Sequence, residues 1–121
     1  MQIKTFFALL TVVTAASAAT RPKANEYKDT NCQTWNYGHN SFELGDVTMD
    51  DTSNSVYITH GQRADGVRKW FYAYDGKTGN GGSCTGNRLS TSSSSVAPSG
   101  CVNLNTAYPG KRIRCLRSIS E

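Results

Sequence analysis

Four cysteines constrain this chain more than any other feature of its sequence. Cys32, Cys84, Cys101 and Cys115 lie within 121 residues. An even number of cysteines in a small chain is typical of the disulfide framework of a secreted protein, and four cysteines allow three pairings. A cysteine-bound metal would need close pairs such as Cys-x-x-Cys, whereas successive cysteines here are 52, 17 and 14 positions apart. The sequence therefore predicts two disulfides and no metal held by cysteine.

The N-terminus has the pattern of a secretory signal peptide. Lys4 gives a positive start, an apolar run extends from Phe6 to Val13, and Ala16-Ser17-Ala18 matches an Ala-x-Ala cleavage site. The apolar run is shorter than the roughly 18 residues that span a bilayer. We therefore predict a signal peptide at 1–18 and a secreted, extracellular protein. Cleavage after Ala18 leaves 103 of the 121 residues, the size of one domain.

The mature chain divides by composition into an arm and a β domain. Residues 19–31 are polar, contain Pro22 and show no periodicity, which predicts a flexible N-terminal arm. Residues 32–121 are predicted to form a single β domain. Its strand-like segments are rich in β-branched and aromatic residues: Thr34–Tyr37, Val47–Met49, Ser55–Thr59, Val67–Tyr74 and Arg112–Ile119. Asp75-Gly76 predicts a tight turn, and residues 76–100 are glycine- and serine-rich with one short strand near Arg88.

The predicted fold class is all-β, a small disulfide-stapled β-sandwich. No segment of the mature chain has a helical period with convincing caps. Hydrophobic residues make up 37% of the whole chain, and some of them leave with the signal peptide, so the core is thin. Two disulfides would then supply stability that a small core does not.

Spaced aromatic and glycine residues in the second half carry a family resemblance. Tyr72 is followed seven positions later by Gly79, and Tyr74 by Gly81. Three further segments follow: Cys84-Thr-Gly86, Gly100-Cys-Val-Asn-Leu104 and the stretch from Gly110 to Ser118. This half resembles the βγ-crystallin-type Greek-key motif of small secreted fungal and bacterial proteins, including killer-toxin and effector types. The first half, from Trp35 to Thr59, resembles a degenerate copy.

The resemblance implies a Greek-key sandwich and one disulfide pairing. Cys84 and Cys101 flank the serine-rich loop inside the second crystallin-like half, which implies a Cys84–Cys101 bond. The remaining bond is then Cys32–Cys115, between the first and last strand regions. In the same family, an aromatic residue lies beneath a folded hairpin whose glycine adopts a conformation closed to other residues.

Two polar groups of residues are candidates for chemistry. His39, His60, Glu43 and Arg63 are the residue types that fungal guanyl-specific ribonucleases use as base, acid and phosphate clamp, although that family's motifs are missing. Asp50-Asp-Thr-Ser-Asn-Ser55 is similar to a calcium-binding crystallin motif, with Asn54 where a hydroxyl is expected. The alternative for this stretch is a turn in which Asp and Asn bond to their own backbone, and we favour it. Gly76-Lys77-Thr78 lacks the preceding glycine of a phosphate-binding loop.

Aromatic and charged segments give two candidate surfaces. Trp70, Tyr72 and Tyr74 would share one face of a strand, either as a sugar-stacking platform or, as we favour, as core. Residues 43–55 carry four acids and no cation, while 111–117 carry Lys111, Arg112, Arg114 and Arg117 and no acid. The second segment predicts either a basic patch or, as we favour, a charged edge strand that blocks aggregation.

The predicted function is that of a non-enzymatic secreted protein that acts by binding, of the fungal effector, toxin or antifungal type. The alternatives are a secreted ribonuclease or other small hydrolase, and a carbohydrate-binding module. We expect a monomer without catalytic residues, cofactor or metal, whose partner is an extracellular or host protein, polysaccharide or membrane surface.

Overall fold

The computed structural model describes residues 19–121, so the predicted signal peptide at 1–18 lies outside the described residues. The described residues form nine strands and no helix, which confirms the all-β prediction. Within them, no helix is long and apolar enough to cross a membrane. The strands are β1 Lys23–Tyr27, β2 Trp35–Tyr37, β3 Asp46–Thr48, β4 Ser55–Thr59, β5 Gly61–Gln62, β6 Arg68–Lys77, β7 Cys84–Leu89, β8 Gly100–Asn103 and β9 Cys115–Ser120.

The strands form two antiparallel sheets. The first has the order β2-β1-β4-β8, and the second has the order β3-β9-β6-β5, with β7 also paired to β6. The two halves of the chain follow the same plan. β1, β2 and β4 share the first sheet while β3 joins the second; β6, β7 and β9 share the second sheet while β8 joins the first. Each half therefore contributes its third strand to the sheet of the other half.

One hydrophobic core lies between the sheets. In β4, Val56 and Ile58 are buried while Tyr57 between them is exposed, the two-residue period of a strand with one buried face. Phe71 and Ala73 supply the buried face of β6. These residues belong to one cluster that includes Ala24, Val47, Val102 and Leu116 from both sheets. The architecture is therefore sandwich-like.

The prediction of a flexible arm at 19–31 is wrong. Lys23–Tyr27 is β1, an interior strand that pairs with β2 on one side and β4 on the other. Upstream of it, the Thr20 N–H and C=O both form 2.8 Å hydrogen bonds with the backbone of Gln62. The ordered domain therefore begins well before Cys32, because β1 is needed to complete the first sheet.

The predicted disulfide pairing is also wrong. The bonds are Cys32–Cys101 and Cys84–Cys115, not Cys84–Cys101 and Cys32–Cys115. The exchange of third strands explains the difference. Cys101 lies in β8, which leaves its own half for the first sheet and there meets Cys32 in the β1–β2 connection, while Cys84 and Cys115 remain together in the second sheet. Each bond thus joins parts of one sheet.

β6 is longer than its pattern predicted. It continues through Asp75 and Gly76 to Lys77, so the tight turn predicted at Asp75-Gly76 is absent there. The β6–β7 connection follows at 78–83, where Gly81 has a φ of +76°. The Gly81 N–H donates a 2.7 Å bond to Thr48 Oγ1, which fixes this hairpin over β3.

Candidate functional site

A buried carboxylate, Glu26, organises a cleft between β1 and two loops. Its side chain is 1% exposed. Oε2 accepts a 2.6 Å hydrogen bond from His39 Nε2, and Oε1 accepts bonds from the Asp50 N–H at 2.7 Å and from Ser53 Oγ at 2.8 Å. A buried carboxylate is tolerated where such donors replace its water. Glu26 therefore ties β1 to two distant loops.

The cleft beside Glu26 and His39, which we call the acidic cleft, has a volume of about 470 Å³. Tyr37, Asp46, Asp50 and Gly81 help to line it. A hydrogen bond from Arg117 holds the pKa of Asp46 below its usual range, and bonds from Thr52 do the same for the pKa of Asp50. Both carboxylates are ionised at neutral pH, so the cleft disfavours polyanions such as RNA.

Sequence reasoning identified His39 but missed Glu26. Ala24 and Glu26 alternate with outward-facing residues in β1, but a carboxylate at an inward position hides that two-residue period. The partners of Glu26 are 13 to 27 positions away along the chain. No local signal identifies them.

The second histidine, His60, is a structural residue. The Phe71 N–H donates to Nδ1 at 3.2 Å, so the ring proton is on Nε2, which donates to the Ala97 carbonyl at 2.8 Å. Burial lowers the pKa of His60. The neutral ring thus bridges β6 and the long β7–β8 connection.

The remaining two candidates of the ribonuclease hypothesis lie elsewhere. Glu43 and Arg63 line a separate shallow cleft of about 310 Å³ with Phe42. Arg63 also pairs with Asp65 at 3.2 Å. The four candidate residues therefore occupy three places: the acidic cleft, the half-buried position of His60 and this shallow cleft.

The stretch Asp50–Ser55 is a hydrogen-bonded turn. Asp50 Oδ1 accepts the Thr52 N–H at 2.8 Å and the Thr52 hydroxyl, and Ser53 Oγ donates to Glu26. Asn54 Nδ2 donates to the Lys28 carbonyl at 2.7 Å. The bond from the Thr52 N–H to Asp50 is the local bond that the turn interpretation predicts, whereas Ser53 and Asn54 bond to distant parts of the chain. Among residues 19–121, no group of three or more His, Cys, Asp or Glu side chains is placed to hold a metal.

Lys77 serves the fold at the end of β6. Its ammonium donates to the Met49 carbonyl at 2.6 Å and lies 3.0 Å from Asp51. It thereby joins β6 to the turn after β3. Because Gly76-Lys77 is strand, this segment does not resemble the start of a helix behind a phosphate-binding loop.

The aromatic row of β6 lies on the outer face of the second sheet, opposite the core. The prediction that Trp70, Tyr72 and Tyr74 are core is wrong, since Phe71 and Ala73 fill that role and the row is only half-buried. Arginines cover the row instead. Arg68 lies 5.5 Å from the centre of the Trp70 ring, Arg88 4.5 Å from Tyr72 and Arg117 5.0 Å from Tyr74.

The acidic segment 43–55 and the basic segment 111–117 contact each other and do not form separate faces. Asp46 of β3 is paired in register with Arg117 of β9, and Arg117 donates to both Asp46 oxygens, at 2.8 and 3.0 Å. The edge-strand prediction for the basic segment is wrong because β9 lies between β3 and β6. Arg112 is engaged as well, with the Ser53 carbonyl and Asn105.

The outer face of the first sheet carries exposed aromatic residues that the sequence predicted only as strand residues. Trp35 is 55% exposed and Tyr57 is 45% exposed. Tyr27 of β1 is paired with Trp35, and their rings form an edge-to-face contact with centres 5.7 Å apart. On the other side of β1, Tyr57 is paired with Asn25. We call the surface formed by Tyr27, Trp35, Tyr57 and Asn25 the aromatic face.

The Trp35 ring is held in place by close packing. A Cβ atom at Gly38 would lie 2.7 Å from Cη2 and Cζ2 of Trp35, so the ring rests against backbone that only glycine leaves free. Tyr27 contacts the same ring from its edge. A half-exposed tryptophan that is fixed in this way offers binding area at little cost in side-chain entropy.

No family model, curated protein or solved structure matches this chain.

Proposed function

We propose that the protein is a secreted, non-enzymatic binding protein and that it binds carbohydrate through the aromatic face. The main observation in support is that Trp35 and Tyr57 are exposed on the same side of the first sheet. The two disulfides indicate an oxidising, extracellular compartment, where polysaccharides are abundant.

The layout of the aromatic face suits a short oligosaccharide. Trp35 and Tyr57 lie on strands either side of β1, two residues apart along it, which places their Cα atoms about 12 Å from one another. Asn25 between them can offer its Nδ2 group to sugar hydroxyls, because its Oδ1 already accepts the His39 N–H at 3.2 Å. On β1 the charged residue of this side is Lys23, and the aromatic rings favour a ligand with apolar sugar-ring faces.

The fold is part of the proposal. The exchange of β3 and β8 between sheets gives two equivalent sets of four strands, with β5 outside both, an arrangement that supports two Greek-key motifs and the βγ-crystallin-like resemblance. The effector, toxin or antifungal role predicted from the sequence is compatible with a monomeric protein that recognises cell-wall polysaccharide.

Retention on insoluble polysaccharide tests the function. The oxidised chain is mixed with chitin, cellulose or β-1,3-glucan particles, and the unbound fraction is measured. Trp35→Ala and Tyr57→Ala should each weaken retention roughly tenfold, the scale of one aromatic stacking contact. Tyr37→Ala is the matched control because Tyr37 is 51% exposed but lines the acidic cleft. Equal loss in all three variants, or no retention by the parent chain, would contradict the proposal.

A hydrolase is the second candidate, favoured by the Glu26–His39 pair. A buried carboxylate that orients a partly exposed histidine at a cleft is an arrangement used in general acid–base catalysis. The ionised Asp46 and Asp50 point to a neutral substrate instead of RNA. Hydrolysis of a neutral ester or glycoside that disappears in His39→Ala, while Trp35→Ala retains it, would favour this candidate over the first.

A further inference from the structure

A second cleft lies between the end of β7 and the turn Tyr108-Pro109-Gly110-Lys111. It has a volume of about 410 Å³, within the range of small-molecule sites. The Lys111 N–H donates to the Tyr108 carbonyl at 2.9 Å, and Gly110 has a φ of +76°, as a turn with proline and glycine at its centre requires. This turn brings the Lys111 side chain back beside Tyr108.

Two cations line this cleft. Arg88 is stacked over the Tyr72 ring at 4.5 Å and forms no salt bridge with a carboxylate among residues 19–121. Lys111 faces Asp75 at 3.8 Å, a long ion pair. Asp75 is itself engaged, since its Oδ1 accepts the Asn87 N–H at 2.7 Å. The cleft thus combines one stacked guanidinium, one loosely paired ammonium and one occupied carboxylate.

The Tyr108 hydroxyl provides an independent indication of a ligand. Tyr108 is 3% exposed and lines the cleft, and its hydroxyl is buried without a hydrogen-bond partner in the described part of the chain. A buried hydroxyl of this kind destabilises the free protein unless something bonds to it. Burial also raises the pKa of Tyr108, so the hydroxyl keeps its proton and can donate it to an acceptor.

We propose that this cleft binds a tetrahedral oxyanion, the phosphate or sulfate group of an ester or the free ion, held by Arg88, Lys111 and the Tyr108 hydroxyl. A planar guanidinium matches two oxygens of such a group, and the ammonium and hydroxyl can each donate to others. The cleft is formed by β7 and the β8–β9 connection, so it is separate from the aromatic face and independent of carbohydrate binding there.

Titration of the oxidised chain with inorganic phosphate and inorganic sulfate tests the site, with chloride at equal ionic strength as reference. Binding is followed by the backbone amide NMR shifts of residues 87–91 and of Tyr108, Gly110 and Lys111. Arg88→Gln and Lys111→Gln should each weaken binding roughly tenfold. Arg63→Gln is the matched control, since Arg63 is exposed and paired with Asp65 away from this cleft. Equal effects of all three, or no shift specific to phosphate or sulfate, would overturn the proposal.

Tyr108→Phe separates binding from folding. Removal of an unpartnered hydroxyl should leave the urea midpoint unchanged or raise it, while oxyanion binding weakens several-fold. Unchanged affinity in this variant would remove Tyr108 from the site and overturn the proposed donor set. The source of the oxyanion is distinguished by a sulfated disaccharide and a sugar phosphate: tighter binding than the inorganic ions identifies an ester ligand, and equal binding identifies the free ion.

Discussion

Removal of each disulfide in turn should reveal two different contributions to stability. In the chain-entropy model, the Cys32–Cys101 bond, with a sequence separation of 69, contributes about 4.4 kcal/mol to the free energy of unfolding. The Cys84–Cys115 bond, with a separation of 31, contributes about 3.7 kcal/mol. Loop length alone therefore predicts that the Cys32–Cys101 bond contributes more to the free energy of unfolding.

Burial reverses that order. Cys115 is fully buried and Cys84 is 7% exposed, whereas Cys101 is exposed. Replacing the two buried residues by alanine removes apolar sulfur from the interior and leaves space behind, at about 1 kcal/mol for each sulfur. The Cys84→Ala/Cys115→Ala variant should therefore lose about 5.7 kcal/mol, about 1.3 kcal/mol more than Cys32→Ala/Cys101→Ala.

Equilibrium urea unfolding at neutral pH measures both losses, with tryptophan fluorescence and far-ultraviolet circular dichroism as probes. Because removal of a cross-link also expands the unfolded chain, the slopes must be fitted for each variant. A greater loss in Cys32→Ala/Cys101→Ala would show that loop closure outweighs burial and would refute the reasoning. Peptide mapping that found Cys84 bonded to Cys101 would refute the pairing itself.

Three further predictions concern His60, the buried carboxylate of Glu26 and the packing of Trp35. His60 is neutral in the folded protein and its pKa is lowered. The free energy of unfolding should therefore be highest above about pH 6.5, the pKa of a histidine in the unfolded chain, and should fall as the pH drops below it. In His60→Gln, the urea midpoint should change less with pH across this range. Glu26→Ala leaves three donors unpaired and should cost about 3–5 kcal/mol in urea unfolding, and a loss no larger than that of His39→Ala would contradict this. Gly38→Ala should displace the Trp35 ring and shift its fluorescence emission, and an unchanged spectrum would argue against the close packing.

The strands that the sequence predicted are those rich in β-branched and aromatic residues. Ser55–Thr59 was predicted with its observed bounds because it is rich in β-branched and aromatic residues. β1 was missed because one of its inward positions is Glu26, whose burial depends on donors supplied by distant loops. A pattern of hydrophobicity cannot show that a carboxylate is satisfied.

The candidate surfaces were less predictable than the strands. Trp35 and Tyr57 are 22 positions apart in sequence, and only the register of β1 with both neighbouring strands places them on one face. The row Trp70, Tyr72 and Tyr74 was recognised as one face, but which face of β6 is buried depends on the second sheet's packing against the first. The arginines that cover the row come partly from β7 and β9, through strand pairing that the sequence does not specify.

Because each disulfide joins parts of one sheet, reduction of one bond should affect the proposed binding surface on that sheet. Cys101 is paired in register with Tyr57, and the Cys32 N–H donates to Ser55 Oγ at 2.9 Å, so the Cys32–Cys101 bond supports the aromatic face directly. Because Cys101 is exposed and Cys115 is buried, a mild reductant should open Cys32–Cys101 first. Trapping of thiols during a dithiothreitol time course, combined with polysaccharide retention and phosphate titration, measures the consequence. Retention should fall while the cleft at Tyr108, in the half of the chain held by Cys84–Cys115, still binds phosphate. Simultaneous loss of both activities would show that the two sheets do not respond separately to reduction.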